Sequence, residues 1–236
     1  MSSLGRQIEL VEQSISVFKD KFLESPFSFY TESDMHCYLY KELSFGFRDE
    51  HNVKIGNKDK TVQTTLLHNE YPTLSCYYKS KAGVLIRYNK EKNKKPNFRP
   101  TRGRFDLAII DPDSPGNFKK KRTSIAIELS LNKDIDKDNK LIHLTNDYTK
   151  LTDEKNDVDQ GYIQNDVDQG YILHFIRTEE LSKTLQNRLP ELRKNIDEFK
   201  QNLDQKVKFL YLETNKPNKK PKFISSKNWA PMARLD

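Results

Sequence analysis

The chain has 236 residues, room for one generous domain with a sizeable core, and with 32% charged and 35% hydrophobic residues it is polar for a folded protein. An aromatic content of 11% argues against disorder, and a formal net charge of +7 favours a polyanionic partner, since each lysine or arginine set against a phosphate releases a condensed counterion. Nucleic acid is therefore the first candidate and a membrane surface the second, while the eight glycines form no phosphate loop and the five histidines no helical ligand pair.

Apolar positions Leu10, Val11, Ile15, Phe18 and Phe22 predict an amphipathic helix over 4–23. A second helix is expected from Thr31 in TESDMHCYLYKEL, with Thr31 as cap and Asp34 at the capping-box offset. Glu32, Met35, Leu39 and Leu43 then share a face, which puts Glu32 beside the apolar stripe. From residue 62 the period falls to two. VQTTLLHNEYP predicts a strand ending at Pro72, FDLAIID a second ending in the turn DPDSPG, and TSIAIELSL a third. Leu141, Leu144, Tyr148 and Leu151 predict a helix, YILHFIRT a buried strand, 178–203 a helix, and VKFLYLE a last strand. The order is mixed α/β (α+β), with helices flanking one central mixed sheet.

NDVDQGYIQ at 156–164 is followed at once by NDVDQGYIL at 165–173. Only the second copy runs into the apolar LHFI, so the first is read as an inserted loop or helix end. Its Asp157, Asp159 and Gly161 are spaced like the start of a calcium loop whose later ligands are absent. The opening MSSLGRQIELVEQSI lacks the pattern of a secretory signal, and no apolar run approaches the roughly 20 residues that span a bilayer. Cys37 and Cys76 are not spaced as a metal clip and are read as reduced thiols, which makes a cytoplasmic location the expectation. Phe27, Phe29 and Tyr30 could stack on bases, but core packing is the stronger expectation.

Basic clusters flank the strands. Lys94, Lys95, Arg99, Arg102 and Arg104 run into the second strand, Lys119, Lys120, Lys121 and Arg122 lie between the second and third, and NKPNKKPK follows the last. A charge run is often only a solvated loop. Two such runs around one pair of strands favour phosphate contact at those strand ends.

Alternation puts Phe105, Leu107 and Ile109 on one face and Asp106, Ala108 and Ile110 on the other. In SIAIELSL, Ile125, Ile127, Leu129 and Leu131 form an apolar row that packs on a helix. Ser124, Ala126, Glu128 and Ser130 form a small polar row with room for a cation. If the strands pair as a hairpin, Asp106 and Glu128 converge on a hard ion such as Mg2+. The bland alternative makes both acids ordinary sheet residues, Glu32 a first-turn acid favoured by the helix dipole, and Glu70 a turn residue.

This arrangement resembles the PD-(D/E)XK nuclease superfamily, the fold of restriction endonucleases and Holliday junction resolvases. The resemblance covers roughly 28–178: an acid-bearing helix, a meander holding Asp106, an acid-x-lysine strand holding Glu128, a helix and a further strand. It implies a restriction-endonuclease-like core at 28–178; the length and pattern make the whole chain a single domain over 1–236, with a C-terminal helix and strand at 179–213 and a basic tail at 214–236. The resemblance also implies Mg2+- or Mn2+-dependent hydrolysis of DNA, with RNA left open and a homodimer compatible. Asp106 and Glu128 would be metal ligands, and Glu32 or Glu70 the additional acid. Where the family carries lysine, which positions the attacking water and offsets phosphoryl charge, this chain has Ser130. Lys133 and Lys140 are the nearest substitutes in sequence. Two other readings stand beside this one: a silent member of the fold that binds nucleic acid or a protein, and an unrelated basic α+β interaction module.

Overall fold

The computed structural model describes residues 3–55, 60–87, 101–111, 122–134, 141–152, 154–157, 162–165, 167–214 and 222–225. Helix α1 (Ser3–Glu24) buries Val11, Ile15, Phe18 and Phe22, as their spacing predicts, with Leu10 only partly buried. After a 3₁₀ turn at Pro26–Ser28, helix α2 (Glu32–Gly46) starts with a reciprocal cap. The Asp34 amide donates to Thr31 Oγ1 and the Thr31 amide to Asp34 Oδ2. Met35, Leu39 and Leu43 are buried, so the cap and the apolar stripe together fix where the first turn of α2 points.

Strands β1 (His51–Ile55) and β2 (Lys60–Thr64) form their own two-stranded sheet. The main sheet begins with β3 (Leu67–Lys79), β4 (Leu85–Arg87), β5 (Thr101–Ile110) and β6 (Thr123–Leu131). Helix α3 (Ile142–Thr152) follows, then the small hairpin β7 (Glu154–Asp157) and β8 (Tyr162–Asn165), then β9 (Val167–Arg177). A 3₁₀ turn at Thr178–Glu180, helices α4 (Lys183–Gln186) and α5 (Leu189–Gln201), and strands β10 (Val207–Thr214) and β11 (Lys222–Ser225) complete the described chain. The seven-stranded order is β11-β10-β9-β6-β5-β3-β4. Strands β3, β5 and β6 form an antiparallel meander, whereas β9 joins β6, and β10 joins β9, in parallel. A parallel neighbour needs a crossover, and α3 lies on it.

Helices cover both faces of the sheet, which is why all nine residues of β6 are buried. Phe18 and Phe22 of α1 meet Phe175 of β9 on one side. On the other, Ala126 of β6 and Gly170 of β9 are register partners. A Cβ on Gly170 would lie 3.1 Å from Leu151 Cδ1, so this small pair lets α3 press onto the sheet. The start of α3 is held as well. Asp134, just past β6, accepts from the amides of His143 and Leu144 at 2.8 and 2.9 Å. Asn146 Oδ1 accepts from the Leu85 amide at 2.7 Å, tying α3 to β4.

Four expectations need correction. The strand expected over 62–72 is two strands, and β3 runs on through Pro72, whose missing amide is absorbed where the β3–β5 register shifts between Pro72 and Cys76. The helix expected over 178–203 breaks into a 3₁₀ turn, α4 and α5, with Pro190 in the first turn of α5, where it costs no hydrogen bond. Strand β10 is not the last, because β11 in the basic tail pairs with it. The described parts of the first repeat copy, 156–157 and 162–164, lie in β7 and β8 instead of a loop or helix end, with Asp159 and Gly161 outside the described residues, while 167–173 of the second copy open β9. Among the described residues no helix is long and apolar enough to cross a membrane.

Candidate metal centre

Strands β5 and β6 pair from Ile110↔Thr123 to Leu107↔Ile127, and the next residues are Asp106 and Glu128. Just past the last pair, the Leu129 amide donates to Asp106 Oδ2 at 2.7 Å. On the other side, Asn69↔Leu107 and Tyr71↔Phe105 bracket Glu70 and Asp106, so Glu70 lies across from Asp106. Three acids on three neighbouring strands thus stand at one level of the meander. Glu70 has φ +53°, in the left-handed region, a conformation that costs a non-glycine residue on the order of 1–3 kcal/mol.

Helix α2 closes over this level. Glu32 Oε2 accepts from the Leu131 amide at 3.3 Å, and His36, one turn further on, brings Nε2 to 3.4 Å from Asp106 Oδ2. One ligand atom each from His36, Glu70 and Asp106 lies within 4.8 Å of the others. Burial works to raise the Asp106 carboxyl, but His36 and the Leu129 amide outweigh it and hold its pKa below the usual value. Burial works to lower the His36 imidazole, and Asp106 reverses that and raises it.

From the other face, α3 delivers a cation. Lys150 Nζ donates to Glu128 Oε2 at 2.6 Å, lies 3.1 Å from Asp147 Oδ1 and donates to Arg104 O at 3.3 Å. Burial pulls the Lys150 ammonium down, but Glu128 and Asp147 outweigh it and keep the charge in place. Burial pushes the Glu128 carboxyl up, Lys150 opposes it, and the neighbouring acids leave it well above the usual carboxylate range. The Asp147 carboxyl is likewise pushed by burial up to about 7. Glu128 is 1% exposed and its Oε1 has no hydrogen-bond partner. Such a buried orphan acceptor costs about 1–3 kcal/mol unless something fills it. More carboxylate than cation, a bare acceptor and hard oxygen donors are what a divalent cation would satisfy.

Of the residues singled out in the sequence, the structure brings Asp106, Glu128, Glu70 and Glu32 to one end of the meander, but only Asp106 and Glu70, together with His36, fall in a group whose ligand atoms lie within 4.8 Å of one another; Glu128 and Glu32 are not in it. Ser130 points elsewhere: its Oγ lies 2.5 Å from His174 Nδ1, under Tyr211, which stacks on His174 at 5.7 Å. The polar row of β6 is therefore packed at Ser130, not open to a cation. Lys133 is 4.0 Å from Glu32 and half-exposed, with no bond to Glu128. Lys140 lies outside the described residues, as do Lys94, Lys95, Arg99, Lys119, Lys120 and Lys121. Arg102 Nε donates to Thr73 O, and Arg122 is paired with Asp168. Arg104 is exposed on the rim with NH1 3.6 Å from Glu70 Oε2. Phe29 packs between Phe18 and Phe22 as expected, whereas Phe27 and Tyr30 are exposed.

Three residues of the centre, His36, Asp147 and Lys150, were not singled out from sequence. His36 stands four residues after Glu32 and could have been found as its neighbour on the helix face. Lys150 stands beside buried Leu151 and three residues after Asp147, an acid–base pair at the edge of an apolar stripe. No family model, no characterised protein and no solved structure matches the chain.

Proposed function

We propose that the protein is a divalent-metal-dependent nuclease that hydrolyses phosphodiester bonds in DNA. The observation that carries the reading is Lys150. The lysine that the resemblance requires, and that Ser130 cannot supply, reaches Glu128 from the following helix. The element order also supports it: acid-bearing α2, the meander β3, β5 and β6, helix α3, and parallel β9.

Asp106 and Glu128 would hold the ion, with Glu70 beside them, and the bound ion would polarise the phosphoryl oxygen and acidify a water. Lys150 has its donors engaged by Glu128, Asp147 and the Arg104 carbonyl, so it acts as a positive charge fixed in place instead of a mobile arm. A fixed charge in a water-poor setting offsets the charge that develops on phosphate without paying reorganisation during the reaction. Glu32 ties α2 to the end of β6, and exposed Arg104 offers a phosphate contact at the rim.

The second reading, a nuclease-fold protein that binds nucleic acid or a partner without cutting, draws on Ser130, whose hydroxyl is committed to His174. Incubation of the purified chain with supercoiled, linear and branched DNA and with RNA, in Mg2+, Mn2+ or chelator, separates the two. Cleavage that requires metal and Lys150 supports the nuclease. Binding without cleavage in every combination supports the alternative.

A further inference from the structure

We infer that His36 is itself a ligand of the metal, and that its imidazole biases the centre toward manganese-type first-row ions over magnesium. The inference rests on the reading above for the presence of an ion at Asp106, and not for cleavage. His36 Nε2 is buried and makes no hydrogen bond, and it stands 3.4 Å from Asp106 Oδ2, a separation that fits an ion pair without metal and two ligands of one ion with it. An octahedral ion with bonds of about 2.1 Å holds neighbouring ligand atoms about 3.0 Å apart and opposite ones about 4.2 Å apart. The His36, Glu70 and Asp106 ligand atoms, all within 4.8 Å of one another, need to close only slightly to fit.

A separate observation points to the same place. Glu128, across from Asp106 and 1% exposed, keeps Oε1 buried and unpartnered although Lys150 bonds its Oε2, so one acceptor on the sheet side is left without a donor or a cation. The helix side is built to hold its nitrogen still. The capping box starts α2, Glu32 bonds the Leu131 amide, and His36 follows one turn later on that face.

The donor set decides the metal. Mg2+ keeps its waters and takes one or two carboxylates, gaining little from imidazole. Imidazole nitrogen suits first-row transition ions, and affinity for such a mixed nitrogen and oxygen site rises from Mn2+ onward through the series. A centre of two or three carboxylates with one imidazole should therefore bind Mn2+ well above Mg2+, and His36 should carry that preference.

The test is titration of the metal-free full chain with Mn2+ and with Mg2+, together with pulsed EPR of the bound Mn2+. Wild type should show coupling from a directly bonded nitrogen, a measurement that needs no variant. In His36→Gln that coupling should vanish and Mn2+ affinity should fall by at least about tenfold, a change of about 1.4 kcal/mol. Mg2+ affinity should change less than about threefold, because a water replaces the imidazole. Asp106→Asn should weaken both ions. Bound Mn2+ without nitrogen coupling, or an unchanged Mn2+ to Mg2+ ratio in His36→Gln, would overturn the inference while leaving a nuclease that uses oxygen ligands intact. Nitrogen-coupled Mn2+ in a chain that cuts no nucleic acid would uphold the inference and remove the nuclease reading. Failure of wild type to bind either ion would overturn the inference and the metal centre together.

Discussion

Glu128 and Ser130 stand two residues apart on one face of one buried strand, and their surroundings have opposite character. At Ser130 the row across β6, β9 and β10 is Ser130, His174 and Tyr211, held by hydroxyl, neutral imidazole and aromatic stacking. At Glu128 the strands have parted, carboxylates outnumber ammonium groups, and one oxygen is left bare. The first row also leaves one polar atom, His174 Nε2, without a hydrogen-bond partner, but it gathers no carboxylates. The second would be relieved by a bound cation, or by a proton on Glu128, whose carboxyl is pushed by burial well above the usual range. Polarity in a core is thus uninformative by itself, whereas uncompensated charge is informative.

The largest expected effect is on the charged row. Lys150→Met should lower metal-dependent cleavage by roughly 10²–10³-fold, the usual loss for one preorganised charge-stabilising group. DNA binding should persist, because Lys150 is buried behind the rim. Lys133→Ala, which removes a cation 4.0 Å from Glu32, should stay within about threefold of wild type in the same assay.

The neutral row should show itself in acid. Burial lowers the His174 pKa to about 4, below the usual imidazole range, so the unfolded chain binds a proton that the folded chain refuses. The stability that this contributes is complete above about pH 6.5 and is lost as the pH falls toward 4, a loss of about 3 kcal/mol. Denaturant unfolding at pH 7, 5.5 and 4 measures it. The double variant Ser130→Ala, His174→Phe removes both partners and should flatten that part of the profile while costing little at pH 7. A profile as steep as wild type's would place the acid sensitivity elsewhere.

A smaller effect tests how Lys150 is delivered. Gly170→Ala puts a methyl against Leu151 and should cost about 1–3 kcal/mol of stability by overpacking. Cleavage should fall as well, because α3 is pushed off the sheet along with Lys150. Adding Leu151→Ala should restore part of the activity. If stability falls while cleavage does not, the close approach of α3 is only a packing matter. The smallest effect is at the cap: Thr31→Ala should cost about 1 kcal/mol of stability, and Mn2+ binding should weaken modestly as the first turn of α2 frays.

Much of the frame was legible because it rests on short-range rules. The alternation in SIAIELSL placed Glu128 and the hydrophobic row on opposite faces, and the Thr31 and Asp34 pair announced the start of α2. Lys150 was not legible, because its reach to Glu128 depends on how closely α3 approaches the sheet. That approach is set by Ala126 and Gly170 on two different strands, and no local pattern encodes the pairing of those strands. The repeat shows the same limit. The described residues of the first copy pair in the small β7–β8 sheet, whereas their counterparts in the second enter a central strand, because only the second finds β6 and β10 as neighbours. Ser130 looked like a gap in a catalytic strand because its partner, His174, lies 44 residues away in the chain.

The most direct test of the metal centre is single-turnover cleavage of one supercoiled and one branched DNA by wild type, Asp106→Asn and Lys150→Met, each with Mg2+, Mn2+ and chelator. Wild type should cut with metal and not with chelator, and each variant should fall by at least about 100-fold while still binding DNA. Cleavage that survives chelation, or a Lys150→Met chain that cuts as fast as wild type, would contradict a centre in which Asp106 holds the ion and Lys150 stands in for the lysine absent at Ser130.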